Sequence, residues 1–301
     1  MERILKSFKD LYTGENILKK HLMFVLLLLL PAISGGVLGI IDKDTPKNVI
    51  IIMAIIGVVL LILSIVPYIY LLGFYVNFVK DRLKGISGIP LITSETFMMG
   101  VRVLPLTIVW FIYSILFFGT LMFGPIVPLV MAAMSSKPDA GAIIGLVILL
   151  LVAYSVVFVS FILIVPFASY IYFEYVDNGR ALGKLFNPLI LVNYMKKAFK
   201  DTIFVELKFI LVSMVAGCIS GVVTIIVVLA SILVGGFTVL AVPESQADTA
   251  IYSIVPLVLL ILLSSIATIA QIYVTSMVGY AAADNYLDIY KEKIAQNIFG
   301  E

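Results

Sequence analysis

The chain holds one histidine, His21, and one cysteine, Cys218. A zinc site of the usual nitrogen and sulfur type needs three or four such ligands, and a serine relay needs its own oriented imidazole. One residue of each kind builds neither, and a single cysteine closes no intramolecular disulfide. His21 follows Lys19 and Lys20 at the start of an apolar run, so it reads as a residue of the membrane interface with no ligand role. The metalloprotease pattern His-Glu-x-x-His, the P-loop and Gly-x-Gly-x-x-Gly are all absent. Asp177-Asn178-Gly179-Arg180 has a composition met in phosphate loops, but Asn-Gly is first of all a turn signal and is read as one. These residues point to no catalytic residue, no metal and no cofactor, and so to a protein that is not an enzyme.

An ionisable group inside a bilayer usually marks an ion or proton path. Here all 18 acids lie at or beyond the ends of apolar runs, with Glu174, Glu206 and Lys208 at an edge and Arg102 ahead of the third run. Transport driven through an Asp or Glu relay is therefore not expected. Gln271 is the most polar side chain well inside a run, with Ser264, Ser265, Thr268 and Thr275 on the same stretch. It is expected to hydrogen-bond a neighbouring helix, the alternative being that it lines a cavity.

The elements that carry these residues follow from composition. Of 301 residues, 62% are hydrophobic and only 13% charged, with a mean hydropathy of +1.17. A soluble domain is nearer half apolar and a quarter charged, so a soluble core could not hide this excess. The composition argues against a nucleic-acid binder. Apolar runs cover 22–41, 49–76, 103–133, 142–173, 209–242 and 251–283. About 20 residues suffice to cross the hydrocarbon, so the expected fold is all-α, a polytopic bundle of six transmembrane helices. Pro67, Pro105, Pro125, Pro128, Pro166 and Pro256 are its kink or break positions. The third run is expected to end its regular helix at Pro125 and Pro128, just after Gly119 and Gly124.

Lys and Arg count the sides. The N-terminal tail, the 77–102 and 176–208 connections and the C-tail hold 17 of them, and the opposite side only Lys43, Lys47 and Lys137. The positive-inside rule then places both termini in the cytoplasm. Ala32-Ile33-Ser34 after a leucine run could be cut as a signal peptide, which would leave five spans. The preceding charged region of about 20 residues is long for that purpose, and the first run is read as an uncleaved span.

The chain also repeats. Ile65-Val66-Pro67 recurs as Ile164-Val165-Pro166, and Gly85 with Pro90-Leu91-Ile92 recurs as Gly183 with Pro188-Leu189-Ile190, in nearly one register. Phe8-Lys9-Asp10 recurs as Phe199-Lys200-Asp201, and Gly73-Phe74 finds a counterpart in Gly279-Tyr280. The single domain 1–301 is thus read as three units, 1–85, 86–183 and 184–301, each a cytoplasmic interfacial segment followed by a helical hairpin. In the first segment Ile4, Leu5, Phe8, Leu11 and Tyr12 share a helical face. In the third, Leu189, Val192, Met195, Phe199 and Ile203 do so, with Lys196, Lys197 and Lys200 placed opposite. Basic amphipathic helices of this kind lie among headgroups and attract anionic lipid. Gly35 with Gly39, Gly141 with Gly145 and Gly217 with Gly221 are spaced for close helix packing within the chain.

The stretch Gly73-Phe74-Tyr75-Val76, Lys80-Asp81-Arg82-Leu83-Lys84-Gly85, Ile89-Pro90 and Gly100 resembles the prokaryotic membrane family called domain of unknown function 4013. Leu91 and Ile92 stand where its members carry a Trp and acidic residues. The six-span arrangement is also similar to the membrane domain attached to some glycerophosphodiester phosphodiesterases. This resemblance implies the fold and a prokaryotic inner membrane, and supplies no activity. The expected function is a non-catalytic accessory, scaffold or lipid-interacting module, the alternative being a transporter or permease component for a lipid or hydrophobic solute. Its expected partners are membrane lipids, anionic ones included, or another membrane protein. Any ligand site is expected near Pro67, Pro166 and Gln271, with Arg82, Lys84, Arg180 and Lys184 holding an anionic headgroup.

Overall fold

A computed structural model describes residues 2–39, 47–135, 140–178, 182–241 and 250–295. Among the described residues every regular element is helical. Helix α1 is Glu2–Leu11, α2 Ile17–Gly39, α3 Lys47–Leu63, α4 Ile65–Leu83, α5 Ser94–Ser135, α6 Ala140–Asp177, α7 Leu182–Leu185, α8 Leu189–Ala241 and α9 Ala250–Ile289. A π-helical turn, Tyr290–Ile294, closes α9. Five stretches among the described residues are long and apolar enough to cross a membrane: Ala54–Leu83, Ser94–Leu121, Val147–Asp177, Leu189–Val227 and Leu262–Ile294. The chain is a multi-pass membrane protein. Helices suit that solvent because each satisfies its own backbone hydrogen bonds.

Prolines act less uniformly than their sequence positions suggest. The 49–76 run is divided only by a turn at Ser64, which keeps helical backbone angles (φ −70°, ψ −13°) and whose hydroxyl bonds the Leu60 carbonyl at 2.7 Å, and Pro67 falls in the first turn of α4. Its counterpart Pro166 lies inside an unbroken α6. The expected end of the third helix at Pro125 and Pro128 is corrected: α5 runs through both to Ser135. A proline forfeits one backbone bond, whereas ending a helix leaves several carbonyls without partners, and in hydrocarbon the smaller loss prevails. In α8 the break comes without proline, at Ala198 (φ −134°, ψ 16°), which sets a short lead-in segment apart from the span that follows.

The helices divide into two compact units. The first comprises 1–100 and 208–282, the second 101–207 and 283–301. In the first, α2 packs against α3 and α4. Within both, the core gathers at one end of the helices. In α6 the segment 144–165 buries only Ala153 among its described side chains, whereas Pro166, Phe167, Tyr170, Ile171, Phe173 and Tyr175 are all buried. In α8 no residue from 210 to 227 is buried. In α9 Ser265 is buried alone, and continuous burial along one face starts only at Met277 and runs on into the π-helical turn at Ile294. Apolar side chains gain little by leaving lipid for one another, so the aliphatic parts of α6 and α8 stay exposed while the aromatic and polar ends pack. The glycine pairs show the same economy. A Cβ added at Gly145, Gly217 or Gly221 would meet nothing within 4 Å, so the close packing expected there is not found among the described residues; the Gly35–Gly39 pair lies outside the residues whose surroundings are described.

The amphipathic segments form, but with rotated faces. In α1 the buried side chains are Ile4, Ser7 and Leu11, while Leu5 is 65% exposed and Tyr12 49%. In the lead-in of α8 the buried side chains are Tyr194, Ala198 and Thr202; Leu189, Val192 and Phe199 point outward with the lysines. Sequence periodicity finds the apolar stripe, but polar partners elsewhere in the fold choose which face is covered.

Candidate functional site

Two clusters bring polar and aromatic side chains together, one in each unit. That of the first unit begins with a helix crossing. A Cβ on Gly73 would stand 1.8 Å from the Thr96 carbonyl oxygen, and one on Gly100 would stand 1.9 Å from that of Ile69. The backbones of α4 and α5 therefore touch, which only the absence of a side chain permits. Thr96, buried at the crossing, accepts from the Thr93 backbone N–H at 3.0 Å and from the Asn77 amide at 3.3 Å. Between the helices, Gly85 (φ +76°) closes α4: its N–H bonds the Arg82 carbonyl and the Ile86 N–H the Asp81 carbonyl, the paired bonds of a left-handed helix cap. The loop after it is tied to α1, Gly88 N–H donating to the Asp10 carbonyl at 2.8 Å.

Beside this frame lies the only histidine. The His21 ring stacks on Tyr12 with centroids 4.7 Å apart. Its Nε2 is 3.4 Å from the Leu11 carbonyl and its Nδ1 2.8 Å from the Tyr273 hydroxyl, which also lies 3.3 Å from the hydroxyl of Tyr12. A carbonyl only accepts, so in the neutral ring Nε2 carries the proton and Nδ1 receives one from Tyr273. Burial pushes the imidazole below its ordinary value and the neighbouring Lys20 adds to this, against the bond to Leu11. His21 thus pins the α1–α2 turn to α9 as a neutral group. Deeper in the same unit, Tyr280 of α9 rests against Phe24, Phe74, Tyr75 and Phe78 with centroids 5.0–6.1 Å away.

The second unit is built on hydroxyls and carboxylates. Tyr170 of α6 is surrounded by Phe167, Phe173, Tyr194, Tyr286 and Tyr290, and its own hydroxyl lies 2.6 Å from that of Thr202. Around this ring three phenols donate to three carboxylates: Tyr194 to Glu174, Tyr286 to Glu206, and Tyr290 to Asp177, the last at 3.1 Å. A carboxylate at the edge of hydrocarbon is costly unless its oxygens are satisfied, and each phenol offers an apolar ring with one donor at its tip. Trp110 and Tyr113 of α5 fasten the connection that follows α7 by donating to the carbonyls of Leu185 and Phe186 at 3.0 and 3.2 Å.

The residues singled out from sequence fall in both units. Pro67 is buried at the start of α4 and Pro166 inside α6. Gln271 is exposed on α9 and makes no hydrogen bond to another described residue, so the helix-to-helix bond expected of it is not found. Arg82 is only 7% exposed: its guanidinium lies 5.2 Å over the Phe78 ring and reaches the Ile86 carbonyl at 3.5 Å. Lys84 and Lys184 are exposed, in different units, and Arg180 lies outside the described residues. Among the described residues no three of His, Cys, Asp and Glu are grouped to hold a metal ion. Sequence reasoning missed Tyr286, Tyr290 and Ile294, which it left in a cytoplasmic tail. The signal was there, since Tyr286, Leu287, Ile289, Tyr290 and Ile294 keep a helical apolar stripe beyond the last hydrophobic run. Comparison with known protein families, with characterised proteins and with solved structures finds no match.

Proposed function

We propose that the chain is a six-span, non-catalytic accessory or scaffold protein of a prokaryotic inner membrane that works through contact with lipid. The sixth span is the apolar part of α2 from Leu22 onward, and both termini lie in the cytoplasm. The three hairpin units and the kinship with domain of unknown function 4013 belong to the same reading, supported by the short amphipathic helix before α2 and the lead-in before the α8 span. One observation carries the proposal. From Leu211 to Leu233, α8 presents Met214, Val215, Ile219, Val222, Ile225, Ile226 and Leu229 at more than half exposure on successive turns. A helix that bare offers its surface to lipid or to another membrane protein. The test is native mass spectrometry of protein extracted gently with its own lipid. Stoichiometric lipid or a protein partner is the expected result, and a retained polar solute would overturn it.

A second reading, a permease component for a lipid or hydrophobic solute, is favoured by the turn that divides the run at Ser64, ahead of Pro67, and by the exposed Gln271. Interrupted helices and a polar face on a span are what a transport path uses. Net uptake of a labelled lipid into proteoliposomes would select it. The cytoplasmic placement of the C-terminus is checked separately: a reporter fused after Glu301 should be active only inside.

A further inference from the structure

We propose that the outward face of the α8 lead-in, residues 189–200, docks on an anionic bilayer surface. This deepens the lipid-contact reading above and rests on it. The segment is held to the fold through the buried Tyr194, Ala198 and Thr202, the first and last against Tyr170, and through one edge of Phe199, whose ring stacks on Phe167 with centroids 6.3 Å apart. Its other side carries Leu189 at 65% exposure, Val192 at 45% and Phe199 at 46%, with Lys196, Lys197 and Lys200 exposed among them. From 182 to 200 the sequence has four lysines and no acid, and none of Lys196, Lys197 and Lys200 pairs with an acid among the described residues. The first acid beyond, Asp201, lies 4.0 Å from Lys293 and so faces a cation already.

Apolar and cationic side chains sharing one face is the pattern of a helix lying in the headgroup plane. There leucine, valine and phenylalanine sink toward the acyl chains and the lysine stems extend to reach phosphates. The Ala198 break supplies the geometry, because it releases the lead-in from the axis of the span that follows. The same chain that crosses the bilayer therefore delivers this face to its surface. An acidic protein would meet the lysines equally well but would leave the apolar residues between them without a partner, and that difference selects lipid.

The test uses the full chain in bilayer nanodiscs of phosphatidylglycerol mixed with phosphatidylcholine, counting which lipid stays bound after extraction. The wild type should retain phosphatidylglycerol in preference. Replacing Lys196, Lys197 and Lys200 with Gln should lower that preference about fivefold per lysine at low salt, while replacing all three with Arg should keep it. A fluorophore on Val192→Cys, in a Cys218→Ser background, should be quenched by bromine-labelled acyl chains and shielded from aqueous iodide. No preference in the wild type, an unchanged preference in the Gln variant, or a Val192 label open to iodide would overturn the proposal. Release of the wild-type chain from membranes by alkaline carbonate would instead overturn the membrane reading beneath it.

Discussion

The two units solve one problem in different materials. Each must lock the ends of long apolar helices where lipid gives them no reason to associate. The first unit does so by shape: Gly73 and Gly100 let two backbones touch, and Tyr280 fills the space among Phe24, Phe74, Tyr75 and Phe78. The second does so by polarity: Tyr194, Tyr286 and Tyr290 spend their hydroxyls on Glu174, Glu206 and Asp177 around the Tyr170 ring. A lock made by shape should be sensitive to added volume and indifferent to a lost hydroxyl. A lock made by polarity should behave the opposite way.

The largest effect is expected at the crossing. Gly100→Ala sets a methyl against the Ile69 carbonyl and Gly73→Ala one against that of Thr96, with backbone on both sides and no flexible tip to yield. Each should destabilise the protein by about 3 kcal/mol, the upper part of the range for overpacking, read as a lowered melting temperature in detergent. If both alanines are tolerated, the helices do not cross so closely and the comparison loses its first half.

The hydroxyls come next. Tyr286→Phe and Tyr194→Phe leave a carboxylate short of its donor and should each cost about 1.5–3 kcal/mol. Tyr280→Phe keeps every ring contact and should change stability by less than about 0.5 kcal/mol. The melting temperatures of these three variants, measured side by side, sharpen the contrast between units. Equal losses would show that phenols are used alike in both.

Legibility followed the range over which the signal is carried. The bundle is written in runs of apolar residues, a local property, and so are the amphipathic helices. The glycines quoted for the family resemblance proved to be structural: Gly73 and Gly100 make the crossing, and Gly85 the cap. Phe74 and Tyr280, which the sequence offers only as equivalent helix ends, lie with their rings 5.5 Å apart. What escaped is non-local. Tyr286 meets Glu206 across 80 positions and Tyr290 meets Asp177 across 113, while Tyr273 reaches His21 across 252. No periodicity records such partners, and a tyrosine beyond the last apolar run looks like tail. For the same reason the covered faces of α1 and α8 could not be chosen from hydrophobicity alone.

Acid should act on the first unit through His21. Its folded value is lowered from the ordinary 6.5, so the unfolded chain takes up a proton more readily. The contribution of the neutral ring is therefore complete above about pH 6.5 and diminishes as the pH falls below it. A positive ring would also lose the capacity of Nδ1 to accept from Tyr273. The wild type should thus lose more melting temperature than His21→Phe between neutral pH and pH 5, while the three carboxylates remain common to both proteins. Parallel pH profiles would remove His21 from the lock.

The smallest effect is the most informative about surroundings. Gly217 sits in α8 with open space where a Cβ would go, and a helical glycine costs up to about 1 kcal/mol against alanine. Gly217→Ala should then be neutral or slightly stabilising in the isolated protein, the reverse of Gly100→Ala with the same added methyl. The open space belongs to this chain alone, however, and in the membrane something must fill it. If lipid does, Gly217→Ala should be as benign in the bilayer as in detergent, because acyl chains yield to a methyl. A variant that is stable in detergent yet unstable in the native membrane would mean that the small-residue face of α8 is pressed against another protein helix.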